Sequence, residues 1–222
     1  MGKLKINLPN KIIPFLSNDK DFHEKPDPND LANFPSPINA IICGNRNCGK
    51  TRLMKNILLH KNPPYDRIVI YSPLEETSEY NDIDCIYLNE IPQYDYFDRN
   101  EHNCFIIEDC DTKQELSRDE RTRLGRFYGV IGSHNNIDIF TITQNPFDIM
   151  PQLRRISNIV ILFKNSDIDM LATLAKKFNL KSSDLKNIFD TFTNTDSLII
   201  DDTREKHLRL RKNLFQIIQL EE

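Results

Sequence analysis

No stretch of this sequence stays apolar long enough to cross a membrane. Its longest such run, around Ile159 to Phe163, falls far short of the roughly 20 residues that a spanning helix needs. The first residues, Met1-Gly2-Lys3-Leu4-Lys5, lack the apolar core of a secretory leader. Ile6 stands where a myristoylation signal starting at Gly2 has Ser or Thr. A soluble protein with no membrane partner is therefore expected. Positive charge is not in excess either: 29 Lys and Arg face 33 Asp and Glu, for a net charge of −4 and a pI near 5.8. A protein that coats nucleic acid is usually basic, so that class is disfavoured, although a few local loops in a ring could still handle DNA. Metal-ligand spacing is missing as well. The five cysteines, at 43, 48, 85, 104 and 110, show no paired pattern, and the five histidines are scattered. That excludes zinc modules and favours reduced thiols in a cytosolic interior. There is no internal repeat.

What the chain does hold is enough apolar material for a core. With 222 residues, of which 39% are hydrophobic and 28% charged, it has room for one α/β domain. Residues 1–35, polar and punctuated by Pro26, Pro28 and Pro35, read as an extended N-terminal arm, and 36–222 as the domain. Buried strands are expected at Ile38–Cys43, Arg67–Tyr71, Asn103–Ile107, Ile137–Thr143 and Ile159–Lys164, with a minor one at Cys85–Leu88. Helices are expected from Arg52 to His60, over Glu115–Ile131, over Asp167–Lys177 and over Asp184–Phe192. In the third of these Met170, Leu171, Leu174 and Phe178 share the inward face. Ser197–Ile200 and Leu208–Ile218 read as a closing strand pair. Apolar strands alternating with helices predict a mostly parallel central sheet with helices on both faces, and ligands of such sheets bind beyond the carboxyl ends of the strands.

At one such end stands Gly44-Asn45-Arg46-Asn47-Cys48-Gly49-Lys50-Thr51, the pattern G-x-x-x-x-G-K-T between a buried strand and a helix. Gly44 and Gly49 permit backbone angles and close approach that a Cβ would block. The loop N–H groups and the helix N-terminus can then face a phosphate. Lys50 would reach the β- and γ-phosphates and the Thr51 hydroxyl would hold Mg²⁺, so ATP with Mg²⁺ is the expected ligand pair and the fold a P-loop NTPase of the RecA/ASCE kind. Arg46 and Asn47 lie inside the loop and shape it. Glu108-Asp109 closes the strand Asn103–Ile107 and offers one carboxylate for the metal and one for the attacking water. Gln144 follows the strand Ile137–Thr143, where an amide can touch the γ-phosphate or that water. Arg154-Arg155 offers either an arginine presented across a subunit boundary or an ordinary surface pair. Two basic clusters, Arg118, Arg121, Arg123 and Arg126, then Arg204, Lys206, Arg209, Arg211 and Lys212, are explained more readily by solvated faces than by a DNA site.

The segments GNRNCGKT at 44–51, FIIED at 105–109, HNNIDIFTITQNPFDIMPQLRR at 134–155 and LRLRKNLF at 208–215 together resemble the viral DNA-packaging ATPases of the FtsK–HerA superfamily, as found in poxviruses, other large DNA viruses, virophages and polinton-like elements. The resemblance covers about residues 36 to 220. It implies that Gly44, Gly49, Lys50 and Thr51 bind nucleotide, that Glu108 and Asp109 form the second motif, that Gln144 is the sensor and that Arg155, with Arg154 close behind, is the arginine offered in trans. It further implies a homo-oligomeric ring that pumps double-stranded DNA into a preformed capsid, with capsid or portal proteins as partners, in the host cytoplasm or the virion. The family more often places Asp first in the acidic pair, so which of Glu108 and Asp109 is the base stays open. Two other classes fit the same motifs: a nucleotide-gated capsid assembly factor with little turnover, and a small nucleotide kinase. The kinase is disfavoured because the 72–100 loop carries only Arg99.

Overall fold

The computed structural model describes residues 27–73, 78–164, 172–173 and 176–220. Among them nine strands make one sheet: β1 (Asn39–Cys43), β2 (Arg67–Tyr71), β3 (Ile86–Leu88), β4 (Asn103–Glu108), β5 (Ile137–Thr143), β6 (Ile159–Phe163), β7 (Ser197–Asp201), β8 (Leu210–Lys212) and β9 (Gln216–Ile217). In space they lie in the order β3-β2-β4-β5-β1-β6-β7-β8-β9. Strands from β3 across to β6 pair in parallel, and β7, β8 and β9 add antiparallel to that edge. β5 is therefore inserted between β1 and β4.

The strands are apolar on both sides because both sides are covered. In β1, Ala40 and Ile42 join one core cluster with Met54, Ile57 and Leu58 of helix α1 (Lys50–His60), while Ile41 and Cys43 join the other. That second face carries Leu124 of α2 (Arg118–Arg126), Leu153 of α4 (Pro151–Ile156), and Leu185 and Ile188 of α5 (Ser182–Asp190). β4, β5 and β6 alternate in the same way. The expected mostly parallel sheet with helices on both faces is the observed one.

Several boundaries differ from the sequence reading, each for a local reason. α1 begins at Lys50 itself, directly after Gly49. The helix expected from Glu115 starts only at Arg118, because Ser117 and Glu120 close a capping box: Ser117 Oγ accepts from the Glu120 N–H at 3.2 Å and the Glu120 carboxylate accepts from the Ser117 N–H at 2.9 Å. Glu115 instead closes the preceding turn, accepting from the Asp111 N–H at 2.9 Å. Beyond Arg126 the helix widens into a π turn over Phe127–Ile131 and ends in a last turn, α3 (Gly132–His134). The expected second closing strand is split: after β8 the chain turns at Asn213, with φ of 54°, before β9. The helix expected over 167–177 falls largely outside the described residues. Phe178 just after it is buried in the second core cluster.

Two buried polar networks tie the chain ends to this frame. Arg204 donates to the carbonyls of Asp27, Asp30 and Asn33 at 2.6, 2.8 and 2.8 Å and pairs with Asp201, which also holds Arg211 at 2.9 Å. Residues 27–34 are thereby strapped to the turn after β7, with Ala32 and Phe34 buried. At the amino end of the parallel strands, Asp138 accepts from Ser36 Oγ at 2.6 Å, the Ile38 N–H at 3.0 Å and Tyr65 OH at 2.7 Å, with Lys61 Nζ at 3.6 Å. No helix among the described residues is long and apolar enough to cross a membrane.

Candidate active site

The loop after β1 favours glycine at two places, one for want of space and one for its backbone angle. A Cβ at Gly44 would run into the Cys48 sulfur and the Phe163 side chain, and Gly49 sits at φ of 107°. The left-handed region favours glycine because a Cβ clashes there. Asn47, at φ of 60°, is the residue type that tolerates this next best. The loop then turns straight into α1, whose first turn has no acidic residue and no capping side chain. Its leading N–H groups are left for an anion. Lys50 folds back over the loop and donates to the Gly44 and Asn45 carbonyls at 2.8 and 3.0 Å. That geometry stations a cation where phosphate oxygens would compete with two carbonyls.

The neighbouring strand tips face the same space. A cleft of about 790 Å³ is lined by Arg46, Lys50, Thr51, Glu108, Asp109 and Gln144, together with Glu79 and residues of α1. Asn45 and Cys48 complete the loop. Glu108 ends β4 and is only 6% exposed; its Oε1 accepts from Tyr80 OH at 3.3 Å, and its Oε2 has no hydrogen-bond partner among the described residues. Burial first, then the Glu79 and Asp109 carboxylates, push it up to about 7 against the pull of Tyr80 and Lys50. Asp109 is exposed, with φ of 44°, and its N–H donates to the Ile142 carbonyl at 3.1 Å. The chain thus leaves the sheet sharply there, with Asp109 at the wet side of the cleft. Gln144 follows β5 directly, and its carbonyl receives the Cys43 S–H at 3.4 Å.

The donor set suits a small divalent cation that arrives with phosphate. Thr51 supplies a hydroxyl and Glu108 a buried carboxylate oxygen that has no hydrogen-bond partner among the described residues. No group of three or more His, Cys, Asp or Glu among the described residues could hold an ion by itself. Most of its ligands would come from phosphate and water, as hard oxygen-seeking Mg²⁺ prefers.

Other sequence candidates land elsewhere. The structure does not bring Arg155 to the cleft of its own chain; it is exposed on α4. Arg154 beside it donates to the Pro146 carbonyl at 3.2 Å and stacks over Phe147. Of the basic clusters Arg204 and Arg211 are buried, Arg118, Arg126 and Lys206 are exposed, and the rest are half-buried with partners in their own chain. Arg121 and Arg123 donate to the Lys113 and Ile91 carbonyls, Arg126 lies over Tyr94, and Arg209 and Lys212 pair with Asp202 and Asp196. All five cysteines are free thiols. Burial pushes Cys43, at the end of β1, up to about 12 and raises Cys48 in the loop, which disfavours the reactive thiolate at both. Glu79 and Tyr80 were not legible: they fall in a segment read as loop, and a lone acidic residue in a polar loop carries no pattern.

No protein-family model matches the sequence, and no curated protein matches it either. Solved structures do. The genome packaging NTPase B204 of Sulfolobus turreted icosahedral virus 2, in complex with AMPPCP, is 15% identical, with 79% of this chain and 96% of that one covered at a TM-score of 0.57. B204 of Sulfolobus turreted icosahedral virus, described as a DNA-packaging ATPase, is 15% identical over 78% of this chain and 95% of that one, at a TM-score of 0.56. ATPases 2 and 3 of EssC from Geobacillus thermodenitrificans are 14% identical over 81% of this chain and 39% of that one, at a TM-score of 0.50. At such identities the likeness is one of fold. By fold this chain is a P-loop NTPase, and the solved structures it is similar to include genome-packaging NTPases of the kind its motifs resemble.

Proposed function

We propose that this protein is an ATP-hydrolysing motor that drives double-stranded DNA into a viral capsid, acting as a homo-oligomeric ring against capsid or portal proteins. The observation that carries the reading is the convergence of Lys50, from the start of α1, with Glu108, Asp109 and Gln144, from the tips of β4 and β5, on one cleft beside an uncapped helix N-terminus. Phosphoryl transfer needs charge neutralisation and an oriented water more than covalent help, and these groups provide both. Lys50 would exchange its two carbonyl partners for phosphate oxygens. Thr51 and Glu108 would hold Mg²⁺, which when bound neutralises charge on the β- and γ-phosphates. Asp109, at the wet edge, suits the attacking water, and Gln144 lies between the two halves of the site. Arg155, unengaged in its own cleft, suits a neighbouring subunit's nucleotide. The packaging role is supported by the motifs and by the names of the B204 neighbours.

The test is ATP hydrolysis by the pure protein against duplex DNA concentration at two salt levels, with mass measured by light scattering. DNA should stimulate turnover in an oligomer, the stimulation should fade steeply as salt rises because phosphate contacts release counterions, and Lys50→Ala should abolish turnover. Protein that binds ATP but never turns it over, with or without DNA, would sink the motor reading; a persistent monomer with normal ATP affinity would favour the assembly factor.

A further inference from the structure

We propose that the turn Ser78–Tyr80 holds the cation ligands of this cleft in place, with Glu79 as the positioning residue for Thr51 and Tyr80 for Glu108; the assignment rests on the nucleotide-binding reading above. The turn lies between β2 and β3, bonded to Thr51 and Lys55 of α1, and is fixed at several points. The Glu79 carbonyl accepts from Lys55 Nζ at 3.1 Å, the Tyr80 carbonyl accepts from the Ile83 N–H at 2.9 Å, and the Tyr80 ring is fully buried. From that base two successive side chains each reach one ligand. Glu79 Oε2 accepts the Thr51 hydroxyl at 2.7 Å, and Tyr80 OH donates to Glu108 Oε1 at 3.3 Å.

The chemistry of the two contacts is complementary. A hydroxyl has one proton and two lone pairs, so with its proton committed to Glu79, Thr51 can offer only lone pairs to an ion. The anionic acceptor also makes that oxygen a better donor of electron density. At Glu108 the phenol takes one carboxylate oxygen and leaves Oε2, buried and without a partner among the described residues, as the remaining ligand. Partners that orient metal ligands in this way typically carry 10–100-fold in metal affinity, by the general experience of metal sites. Glu79 thus adds a third carboxylate to the cleft without being one of the motif residues. It disfavours bare nucleotide, through repulsion with phosphate, and favours nucleotide that comes with its cation.

The experiment measures binding of a fluorescent ATP analogue to the full chain as Mg²⁺ is titrated, and again in EDTA, for wild type, Glu79→Gln and Tyr80→Phe. Glu79 is exposed and Tyr80→Phe keeps the buried ring, so both variants should fold, which melting curves verify. Glu79→Gln should raise the Mg²⁺ needed for half-saturation about 10-fold, while binding in EDTA is unchanged or tighter. Tyr80→Phe should move the Mg²⁺ requirement in the same direction. Equal weakening with and without Mg²⁺ would mean that the turn merely supports the fold, and a Mg²⁺ requirement within about twofold of wild type in both variants would overturn the proposal while leaving the nucleotide reading intact. If the wild type binds no nucleotide in either condition, both fall together.

Discussion

A methyl group at position 44 would stand 2.6 Å from Cys48 Sγ and 2.7 Å from Phe163 Cβ. The sulfur could swing aside, but a Cβ moves only with its backbone, and Phe163 is the last residue of β6. Gly44→Ala should therefore cost about 1–3 kcal/mol in denaturant unfolding, the usual penalty of overpacking, and should lose nucleotide binding more completely than stability. Glu108 gives a second expectation. With its carboxyl pushed up to about 7, the cation-free native state keeps a proton that the unfolded chain has released from about pH 4.3 upward. The native state then binds more protons than the unfolded one across that window, so this group lowers stability as pH rises from about 4.5 to 7 and adds nothing further above it. Glu108→Gln should be more stable than wild type at pH 8 in EDTA, by on the order of 3 kcal/mol, with the gap closing toward pH 5. A gap that stays constant with pH would show that Glu108 is ionised in the native site.

Among the elements, α2 owes its start to one side chain. Ser117→Ala removes the acceptor for the Glu120 N–H and should cost about 1 kcal/mol in thermal or chemical unfolding. Glu120→Ala should cost more, since its carboxylate also accepts from the Ile91 N–H at 3.3 Å and so ties the helix to the β3–β4 connection. This boundary was readable in advance, because Ser117 and Glu120 stand at the spacing of a capping box. Helical periodicity carried the expected start to Glu115 because Leu116 continues the apolar face; it is buried from the turn instead. The five central strands were legible since each is predominantly apolar, as a sheet covered on both faces demands, although β5 carries Asp138 and Thr141 within its run. The π turn at Phe127–Ile131 had no such signal; within it Phe127 and Tyr128 are buried, with Tyr128 OH bonded to Thr141 of β5. The site divides along the same line. Gly44 to Thr51, Glu108 and Gln144 stand at strand ends that the pattern marks, whereas Glu79 and Tyr80 reach the cleft through the tertiary path of a connection, which no local spacing encodes.

For the molecule as a whole, the base of the parallel sheet depends on a charge. Asp138 is fully buried, and although burial alone would raise it, His102, Lys61, Ser36 and Tyr65 together hold it below the ordinary carboxylate value. Its contribution to stability is therefore complete above about pH 4 and is lost as pH falls through the lower native value. Asp138→Asn should cost about 3–5 kcal/mol at neutral pH, because it leaves Lys61 charged in the interior, and its unfolding free energy should depend less on pH than that of the wild type below about pH 4. Urea titrations at pH 3 to 7 would check both. At the opposite end of the strands lies the insertion of β5 between β1 and β4. Strand centres repeat at about 4.8 Å, so the glycine turn and the acidic tip are held about 10 Å apart by main-chain hydrogen bonds alone. That span is a gauge built into the backbone: side-chain replacements can blunt either jaw, but only a change in the twist of the sheet can reset the gap between them.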